Sequence, residues 1–433
     1  MSSSCDDTRT RYDAPRYRTY VLAMLTLGYL FSSLDRFLVA ILQEPIKNEL
    51  KLTDTQLGLL TGFAFVIFYA GFGVVIARWA DRGVRRSIVA WSIAVWSLMT
   101  AATGMARDFA QIFLARCGVG IGEGGASPAS LSMLTDMYPP QQRASAIGIY
   151  MSGVPLGTLF GLALGGWLNE QIGWRNTFLV MGAAGLLLAP LFRFSIAEPR
   201  RTGGPAAAVE PAPPLAEVAA TLYHHPVFRH LALGPAFSAF ATTAMVNWLP
   251  SYLIRAHGMG TAEIGLRLAL ASGVLAGIGT VAGGYLSDWT ARRDPRRRLL
   301  IPTLGVFLAA PFIFATLMVD DGRTALALYL VPGLLMSLWL GPVHSINQGL
   351  VPNRMRATAA GIIVLVMNMI GVGLAPLVVG MLSDHLMPQH GVNGLRMAIM
   401  IVAGIGCALA ALHFLLAMRA MARMPPDAAN TAR

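Results

Sequence analysis

The chain has 433 residues, of which 55% are hydrophobic and 13% are charged, and its formal net charge is +11. A soluble domain carries roughly 25% charged residues, so this composition excludes an ordinary soluble enzyme. The positive charge is almost all arginine and is concentrated in loops on alternate sides of apolar segments, which indicates membrane topology and argues against a nucleic-acid partner.

Apolar segments follow one another along the whole chain. Each is long enough to cross a hydrocarbon core of ~30 Å, and continuous apolar runs of this length form helices rather than barrel strands. We therefore predict an all-α membrane protein with about twelve transmembrane helices. The predicted spans are residues 19–42, 56–79, 86–105, 109–134, 144–168, 174–197, 229–253, 263–288, 298–319, 324–350, 357–381 and 395–418.

The loops on one side of these spans hold most of the arginines. By the positive-inside rule, both termini are predicted to be cytoplasmic, in a multi-pass protein of a bacterial-type inner (plasma) membrane. The first span is predicted to be retained, because it is too long for a signal peptide and lacks a small-residue cleavage site. The arginines of the predicted cytoplasmic loops are Arg82, Arg85, Arg86, Arg143, Arg200, Arg201, Arg292, Arg293, Arg296, Arg297, Arg298, Arg354 and Arg356.

Four charged residues lie inside predicted spans: Asp35 and Arg36 in the first, and Arg116 and Glu123 in the fourth. Each costs at least ~2.5 kcal/mol in hydrocarbon unless it is paired or hydrated. At 1.5 Å per residue, Asp35 lies roughly 7 Å and Arg116 roughly 11 Å from the same membrane boundary, so the two side chains can meet.

The fourth span also carries a polar stripe at helical spacing, formed by Arg116, Gly120, Glu123, Ser127 and Ser130. Ser32, Asp35 and Arg36 form a second stripe on the first span. Polar stripes on apolar helices must face an interior, so we interpret both stripes as walls of a water-accessible cavity.

The buried acids Asp35 and Glu123 are predicted to carry protons, because burial and a neighbouring arginine act in opposite directions on a carboxyl pKa. Arg36 and Arg116, with Ser127, are predicted to bind an anionic head group, since a guanidinium group binds phosphate or carboxylate with two hydrogen bonds. An alternative is that Asp35–Arg116 and Glu123–Arg36 are only ion pairs that stabilise the two helices.

Two glycine patterns lie within predicted spans. The run Gly120–Gly125 matches a dinucleotide-binding pattern, but no strand precedes it and it lies within a span, so that function is rejected. Glycines at every fourth position of the fifth span let another helix approach closely. These are Gly153, Gly157, Gly161 and Gly165.

A stretch rich in proline and glycine, from Glu198 to Pro226, separates six spans from six. We predict an N-terminal six-helix bundle over residues 1–197, a cytoplasmic linker over 198–228 and a C-terminal six-helix bundle over 229–433. The halves resemble each other, because Arg143–Gly148 (RASAIG) matches Arg356–Gly361 (RATAAG) at the start of the fifth span in each half.

The C-terminal half contributes neutral polar groups rather than charges to its spans. Asn247 and Asn368 are predicted to contact substrate, whereas His344 is interpreted as an interfacial histidine. A cavity with charges on one wall and an apolar, methionine-rich surface on the other suits an amphiphile with a charged head and a tail.

Ala77–Arg86 (ARWADRGVRR) resembles the major facilitator superfamily signature between helices 2 and 3, with Ala77 and Val84 where glycines are usual. Within that superfamily the chain resembles the Spinster family of lysolipid and sphingolipid transporters. Motifs that carry this second resemblance are Leu34–Arg36, Arg116 with Gly122–Gly124, and Asp136–Arg143. The resemblance implies a major facilitator fold of two pseudo-symmetric bundles, and gating roles for Asp81, Arg82, Arg85, Arg143 and Asp288.

We therefore expect a secondary active, proton-coupled, alternating-access transporter of an amphipathic lipid-like substrate, such as a lysophospholipid or sphingoid phosphate. The alternative is a major facilitator transporter of a small organic anion or drug. An intramembrane enzyme or lipid receptor lacks support, because no HExxH motif or soluble sensing domain is present. We expect a monomer. We also expect no metal or cofactor, since Cys5, Cys117 and Cys407 have no metal-ligand spacing.

Overall fold

A computed structural model of the chain describes residue 12 and residues 14–199, 215–292, 294–351 and 355–423. These residues are almost entirely helical and include no strand, which confirms the predicted all-α class. Most of the predicted linker, and Arg200, Arg201, Arg293 and Arg354, lie outside the described residues.

The helices coincide with the predicted spans. Among the described residues, nine helical stretches are long and apolar enough to cross a membrane, and one of them, Gln141–Ser195, contains two predicted spans. The α-helices are α1 Pro15–Leu50, α2 Asp54–Gly58, α3 Ala64–Arg82, α4 Arg85–Met105, α5 Phe109–Gly124, α6 Ala126–Met137, α7 Pro140–Met151, α8 Gly153–Ser195, α9 Leu215–His224, α10 Pro226–His257, α11 Thr261–Ala269, α12 Ala276–Ala291, α13 Leu300–Met318, α14 Gly322–Leu335, α15 Leu340–Leu350, α16 Arg356–Met367, α17 Ala375–His390 and α18 Asn393–Ala422.

Several spans depart from a regular α-helix in ways that hydropathy did not predict. Three π-helical segments, Leu59–Phe63, Leu270–Leu275 and Asn368–Leu374, lie within the second, eighth and eleventh spans. The fourth span is divided at Gly125, because Pro128 has no amide hydrogen to donate to the carbonyl group four residues earlier.

The chain divides into two compact units, of which unit 1 comprises Met1–Leu52 and Ala64–Ala207. In unit 1, α1 and α4 pack against α8, and α5 packs against α3 and α4. The helix α8 contains the fifth and sixth predicted spans, and the chain turns between them at Gly173, whose φ of 76° is readily adopted only by glycine.

The glycine ladder of the fifth span is where α8 approaches α1. A Cβ atom at Gly157 would lie 2.5 Å from the carbonyl oxygen of Leu30, and one at Gly161 would lie 2.7 Å from that of Leu34. The two backbones are thus in contact along the turn of α1 from Leu30 to Leu34, just before Asp35. This close approach fixes the position of α1 within unit 1.

We expect Gly157→Ala to destabilise the protein by about 1–3 kcal/mol, because its methyl group meets backbone atoms that cannot move independently. The matched control is Gly148→Ala on α7, where no atom lies within 4 Å of the added methyl group. Alanine favours a helix over glycine, so the control should be unchanged or slightly stabilised. Thermal unfolding midpoints in detergent give the comparison, and equal effects at the two positions would contradict the packing role.

Unit 2 comprises Thr53–Phe63 and Ala208–Arg433. The helices α10, α13 and α17 pack against α18, and the short α2 packs against α17. Thr53 and Gln56 form a reciprocal capping pair at the start of α2. Glycines again permit the contact, since a Cβ atom at Gly62 would lie 2.5 Å from the carbonyl oxygen of Gly373.

A buried ionic cluster holds α2 in unit 2. Both carboxylate oxygens of Asp54 accept hydrogen bonds from Arg255 at 2.8 Å, and Ser383 donates a third at 2.6 Å. The carboxylate of Asp384 accepts the backbone amides of Asp54 and Thr55 at 3.0 and 2.8 Å. The start of α2 is therefore capped by a residue 330 positions away in the sequence.

Candidate functional site

All four charges of the predicted cavity lie in unit 1 and form two ion pairs between α1 and α5. Asp35, Arg116 and Glu123 are 3%, 2% and 2% exposed, respectively, whereas the side chain of Arg36 is 31% exposed. Asp35 and Arg116 meet, as the helical rise along the two spans indicated. Burial of this many charges is costly, so each must be compensated by close partners.

The first pair joins Arg116 Nη1 to Asp35 Oδ2 at 2.9 Å. Thr100 on α4 donates its hydroxyl to the other carboxylate oxygen at 2.7 Å, so both oxygens of Asp35 are hydrogen-bonded. A narrow cleft lies beside the pair, lined by Phe31, Leu34, Asp35, Trp96, Ser97, Thr100 and Met181. The pair is thus buried, and its hydrogen-bonded partners lie on α1, α4 and α5.

The second pair joins Arg36 Nε to Glu123 Oε2 at 2.7 Å. Ser32 donates to the same oxygen at 2.8 Å, while Glu123 Oε1 has no hydrogen-bond partner within the described residues. Both side chains line a second narrow cleft, with Leu25, Gly28, Tyr29, Ser32, Tyr69, Val89, Trp96, Ala126, Ser127, Ser130 and Tyr150. One oxygen of Glu123 is therefore committed and the other is available to a proton.

Two aromatic rings lie beside the guanidinium group of Arg36. Its central carbon lies 4.8 Å from the ring centroids of both Phe65 and Tyr69, and that of Arg116 lies 5.9 Å from Phe65. Ring faces attract cations, so Arg36 is held by aromatic contacts as well as by Glu123. Neither ring was predicted to lie near the charged residues.

The run Gly120–Gly125 explains how the rings come so close. A Cβ atom at Gly120 would lie 2.6 Å from the carbonyl oxygen of Phe65, and one at Gly124 would lie 2.8 Å from that of Tyr69. Both glycines thus bring α5 into backbone contact with α3. This packing, which was not predicted from the sequence, places Phe65 and Tyr69 beside the arginines.

A second group of tyrosines borders the cleft. Tyr29 stacks on Tyr150 with ring centroids 4.6 Å apart. Tyr150 lines this cleft together with Ser127 and Ser130, so the predicted ligand Ser127 faces it. The cleft thus combines one carboxylate, one guanidinium group, several hydroxyl groups and broad apolar ring faces.

The remaining predicted substrate contacts lie in unit 2. Asn247 is half-buried on α10 and donates its side-chain amide to the carbonyl oxygen of Thr243 at 3.0 Å. Asn368 is half-buried at the first residue of a π-helical segment that packs against α10. His344 lies on α15 in the same unit.

Among the predicted gating residues, Arg85 has the most partners. It is buried and bonded to Asp136, to Glu198 at 2.9 Å and to the carbonyl oxygen of Pro199 at 2.8 Å, and so joins α4, α6 and the end of the sixth span. Arg82 is exposed, and the side chain of Asp81 lies outside the described residues.

The other two gating candidates have local partners. Arg143 donates to the carbonyl oxygen of Tyr138 at 3.0 Å, within unit 1. In unit 2, Asp288 is exposed and lies 3.6 Å from Arg298. Among the described residues, no group of three or more His, Cys, Asp and Glu side chains could hold a metal ion.

Comparison with known proteins gives a consistent result over most of the chain. Residues 25–376 match the family model of the Major Facilitator Superfamily. An MFS-type efflux pump of Mycolicibacterium smegmatis is 32% identical over 392 residues, which are 90% of each chain. A hexuronate transporter of Bacillus subtilis is 28% identical over 84% of this chain and 88% of its own.

The solved structures and the animal relatives agree with this match. The crystal structure of a bacterial homologue of the human lysosomal transporter Spinster, in an inward-facing and unoccupied conformation, has a TM-score of 0.87 and 30% identity and covers 95% of this chain and 100% of its own. The human protein spinster homolog 1 is 24% identical over 86% of this chain and 74% of its own.

Proposed function

The chain belongs to the Major Facilitator Superfamily, is a multi-pass membrane transporter and not an enzyme, and from this premise we propose that it moves an amphipathic, lipid-like anion or zwitterion in exchange for, or together with, protons. The observation that carries the proposal is the Arg36–Glu123 pair in its tyrosine-lined cleft. Lysophospholipids and sphingoid phosphates have the required chemistry.

Proton coupling is supported by the asymmetric bonding of Glu123. Oε2 accepts from Arg36 and Ser32, whereas Oε1 has no partner in the part of the chain that the structure describes. A proton added to Oε1 would cost no existing hydrogen bond and would weaken the attraction of the carboxyl group for Arg36. Asp35 is proposed to act with Glu123, and Arg116 with Arg36, as one titrating network.

Substrate binding follows from the release of Arg36. Freed from Glu123, its guanidinium group remains beside Phe65 and Tyr69 and can bind a phosphate or carboxylate through two hydrogen bonds. The apolar lining of the same cleft suits an acyl chain or sphingoid tail. We propose that Ser127, and Asn247 and Asn368 of unit 2, add neutral contacts.

The remaining assignments complete this proposal. Asp81, Arg82, Arg85, Arg143 and Asp288 are proposed to control alternating access, with Arg85 acting through its bonds inside unit 1. Residues 1–197 and 229–433 would form the two bundles, with the linker 198–228 and both termini in the cytoplasm and the protein in the inner membrane. A monomer suffices for this mechanism.

A small organic anion is the second candidate. Relatives include a hexuronate transporter of Bacillus subtilis and a probable L-galactonate transporter of Escherichia coli, 28% and 25% identical to this chain. Both names denote transport of a sugar carboxylate, and a carboxylate can bind Arg36 or Arg116 as well as a phosphate can. The name of the mycobacterial relative denotes an efflux pump and states no substrate, so a drug remains part of this second candidate.

Uptake into proteoliposomes with an imposed pH gradient separates these candidates. We expect a lysophospholipid or a sphingoid phosphate to cross faster than in protein-free liposomes, and a protonophore to abolish accumulation. Hexuronate and galactonate should not be transported. Transport of a sugar acid without any effect on lysolipids would favour the second candidate. Arg36→Ala is the control for passive lipid flip-flop, because it should remove the protein-dependent rate.

A further inference from the structure

Unit 2 has a separate cavity at the end of α12, where the chain passes through the 3-10 helix Pro295–Leu299 into α13. Its volume is about 310 Å³, and it is lined by Trp289, Thr290, Arg292, Arg297 and Leu300. None of these residues lines the cleft around Glu123. The cavity therefore requires an explanation of its own.

Local hydrogen bonds hold the arginine-bearing backbone in place. The side chain of Asp294 accepts the amide of Arg296 at 3.0 Å and so caps the 3-10 helix. Thr290 donates its hydroxyl to the carbonyl oxygen of Arg297 at 3.0 Å and joins the helix to α12. A hydrogen bond thus joins the end of α12 to the 3-10 helix on the other side of the cavity.

The arginines of this segment differ in their partners. Arg298 lies 3.6 Å from the carboxylate of Asp288. No acidic partner within 4.0 Å is found for Arg292 or Arg297 among the described residues, although both line the cavity. Within the described part of the chain, the cavity therefore holds two cations without a local counter-ion, and an anion would be attracted to it.

The neighbouring surface of α12 is apolar and aromatic. Tyr285 and Trp289 are 77% and 63% exposed, and their spacing of four residues places them on one face of the helix. In membrane proteins exposed Trp and Tyr side chains gather at the level of the lipid head groups. An anion bound by Arg292 and Arg297 would lie beside this aromatic face, at the depth of the phosphate groups.

We propose that this cavity is a binding site for an anionic phospholipid of the leaflet on the arginine-rich side, such as phosphatidylglycerol. The phosphate would be bound by the guanidinium groups of Arg292 and Arg297, and the acyl chains would lie along Trp289 and Tyr285. Only a lipid uses both features, since free phosphate would bind the arginines and ignore the rings. The site is distinct from the proposed transport cleft and does not depend on the substrate.

Native mass spectrometry of the full-length protein in detergent, titrated with phosphatidylglycerol, tests the site. We expect the Arg292→Gln, Arg297→Gln double variant to bind the first lipid about 25-fold more weakly, because each arginine near an anionic lipid contributes roughly fivefold. The matched control is Arg423→Gln at the end of α18, which removes an exposed arginine outside the cavity. Its affinity for the first lipid should be unchanged.

Trp289→Ala separates a lipid from a free anion. This variant should bind phosphatidylglycerol more weakly, and inorganic phosphate should have no effect on that binding. Millimolar phosphate should likewise not displace the lipid from the wild-type protein. Three results would overturn the proposal: unchanged affinity in the double variant, an equal loss in Arg423→Gln, or displacement of the lipid by phosphate. If the double variant does not fold, Arg292→Gln alone gives the same comparison with a fivefold effect.

Discussion

The double substitution Asp35→Asn, Glu123→Gln is expected to abolish accumulation driven by a pH gradient while leaving the protein folded. Amide side chains keep the shape of the carboxyl groups but cannot exchange protons. In the wild-type protein, deprotonated Glu123 holds Arg36 at 2.7 Å, so substrate affinity should fall as the pH rises. The variant resembles the protonated protein at every pH, and its affinity should therefore stay at the wild-type low-pH value.

Uptake and equilibrium binding measured across a pH series in proteoliposomes provide the test. Asp108→Asn is the matched control, since it makes the same change at an exposed helix cap of unit 1, where asparagine caps as well as aspartate does. The control should keep the wild-type pH profile. A double variant that retained full proton dependence would show that the two ion pairs in unit 1 serve structure alone.

Arg255→Ala is expected to destabilise the protein by about 3–5 kcal/mol, because it strands a buried carboxylate. Asp54 has no exposed side-chain surface, and two of its hydrogen bonds come from Arg255. The control is Arg323→Ala, which breaks an ion pair with Glu263 whose arginine is 72% exposed. A pair on the surface contributes about 1 kcal/mol or less.

Unfolding in detergent, followed by thermal or denaturant titration, measures both variants. Adding Asp54→Asn to Arg255→Ala should recover much of the loss, because the neutral amide needs no cation, and the resulting double-mutant cycle gives the coupling between the two residues. The ionic cluster is not a major source of stability if Arg255→Ala costs no more than Arg323→Ala.

The helices and the Asp35–Arg116 ion pair could be predicted because both depend on local, regular spacing. Hydropathy located the spans, since each one must cover the same membrane thickness. The constant rise of an α-helix placed Asp35 and Arg116 at matching depths, and the structure brings them to 2.9 Å. Glycine spacing likewise indicated helix packing at Gly157 and Gly161.

Features that depend on distant or non-periodic contacts were missed. Phe65 and Tyr69 resemble any other aromatic residues of an apolar span, so nothing in their own spacing indicated that they lie beside Arg36. The ionic cluster at Asp54 was not predicted, because Asp384, which accepts the backbone amide of Asp54, is 330 residues away. π-helical segments such as Leu59–Phe63 change the backbone hydrogen bonding of a span. Hydropathy depends on residue composition alone and therefore does not show them.

The discontinuous make-up of unit 2 also sets an order of events during synthesis. Thr53–Phe63 leaves the ribosome early, but Asp384, which caps its first turn, follows 330 residues later. At a translation rate of about 5–20 residues per second, this delay is roughly 15–65 s. Until Arg255 and then Ser383 have been made, Asp54 lacks the residues that donate hydrogen bonds to its carboxylate. The first turns of the second span therefore reach their final environment only when the penultimate helix of the chain has been made.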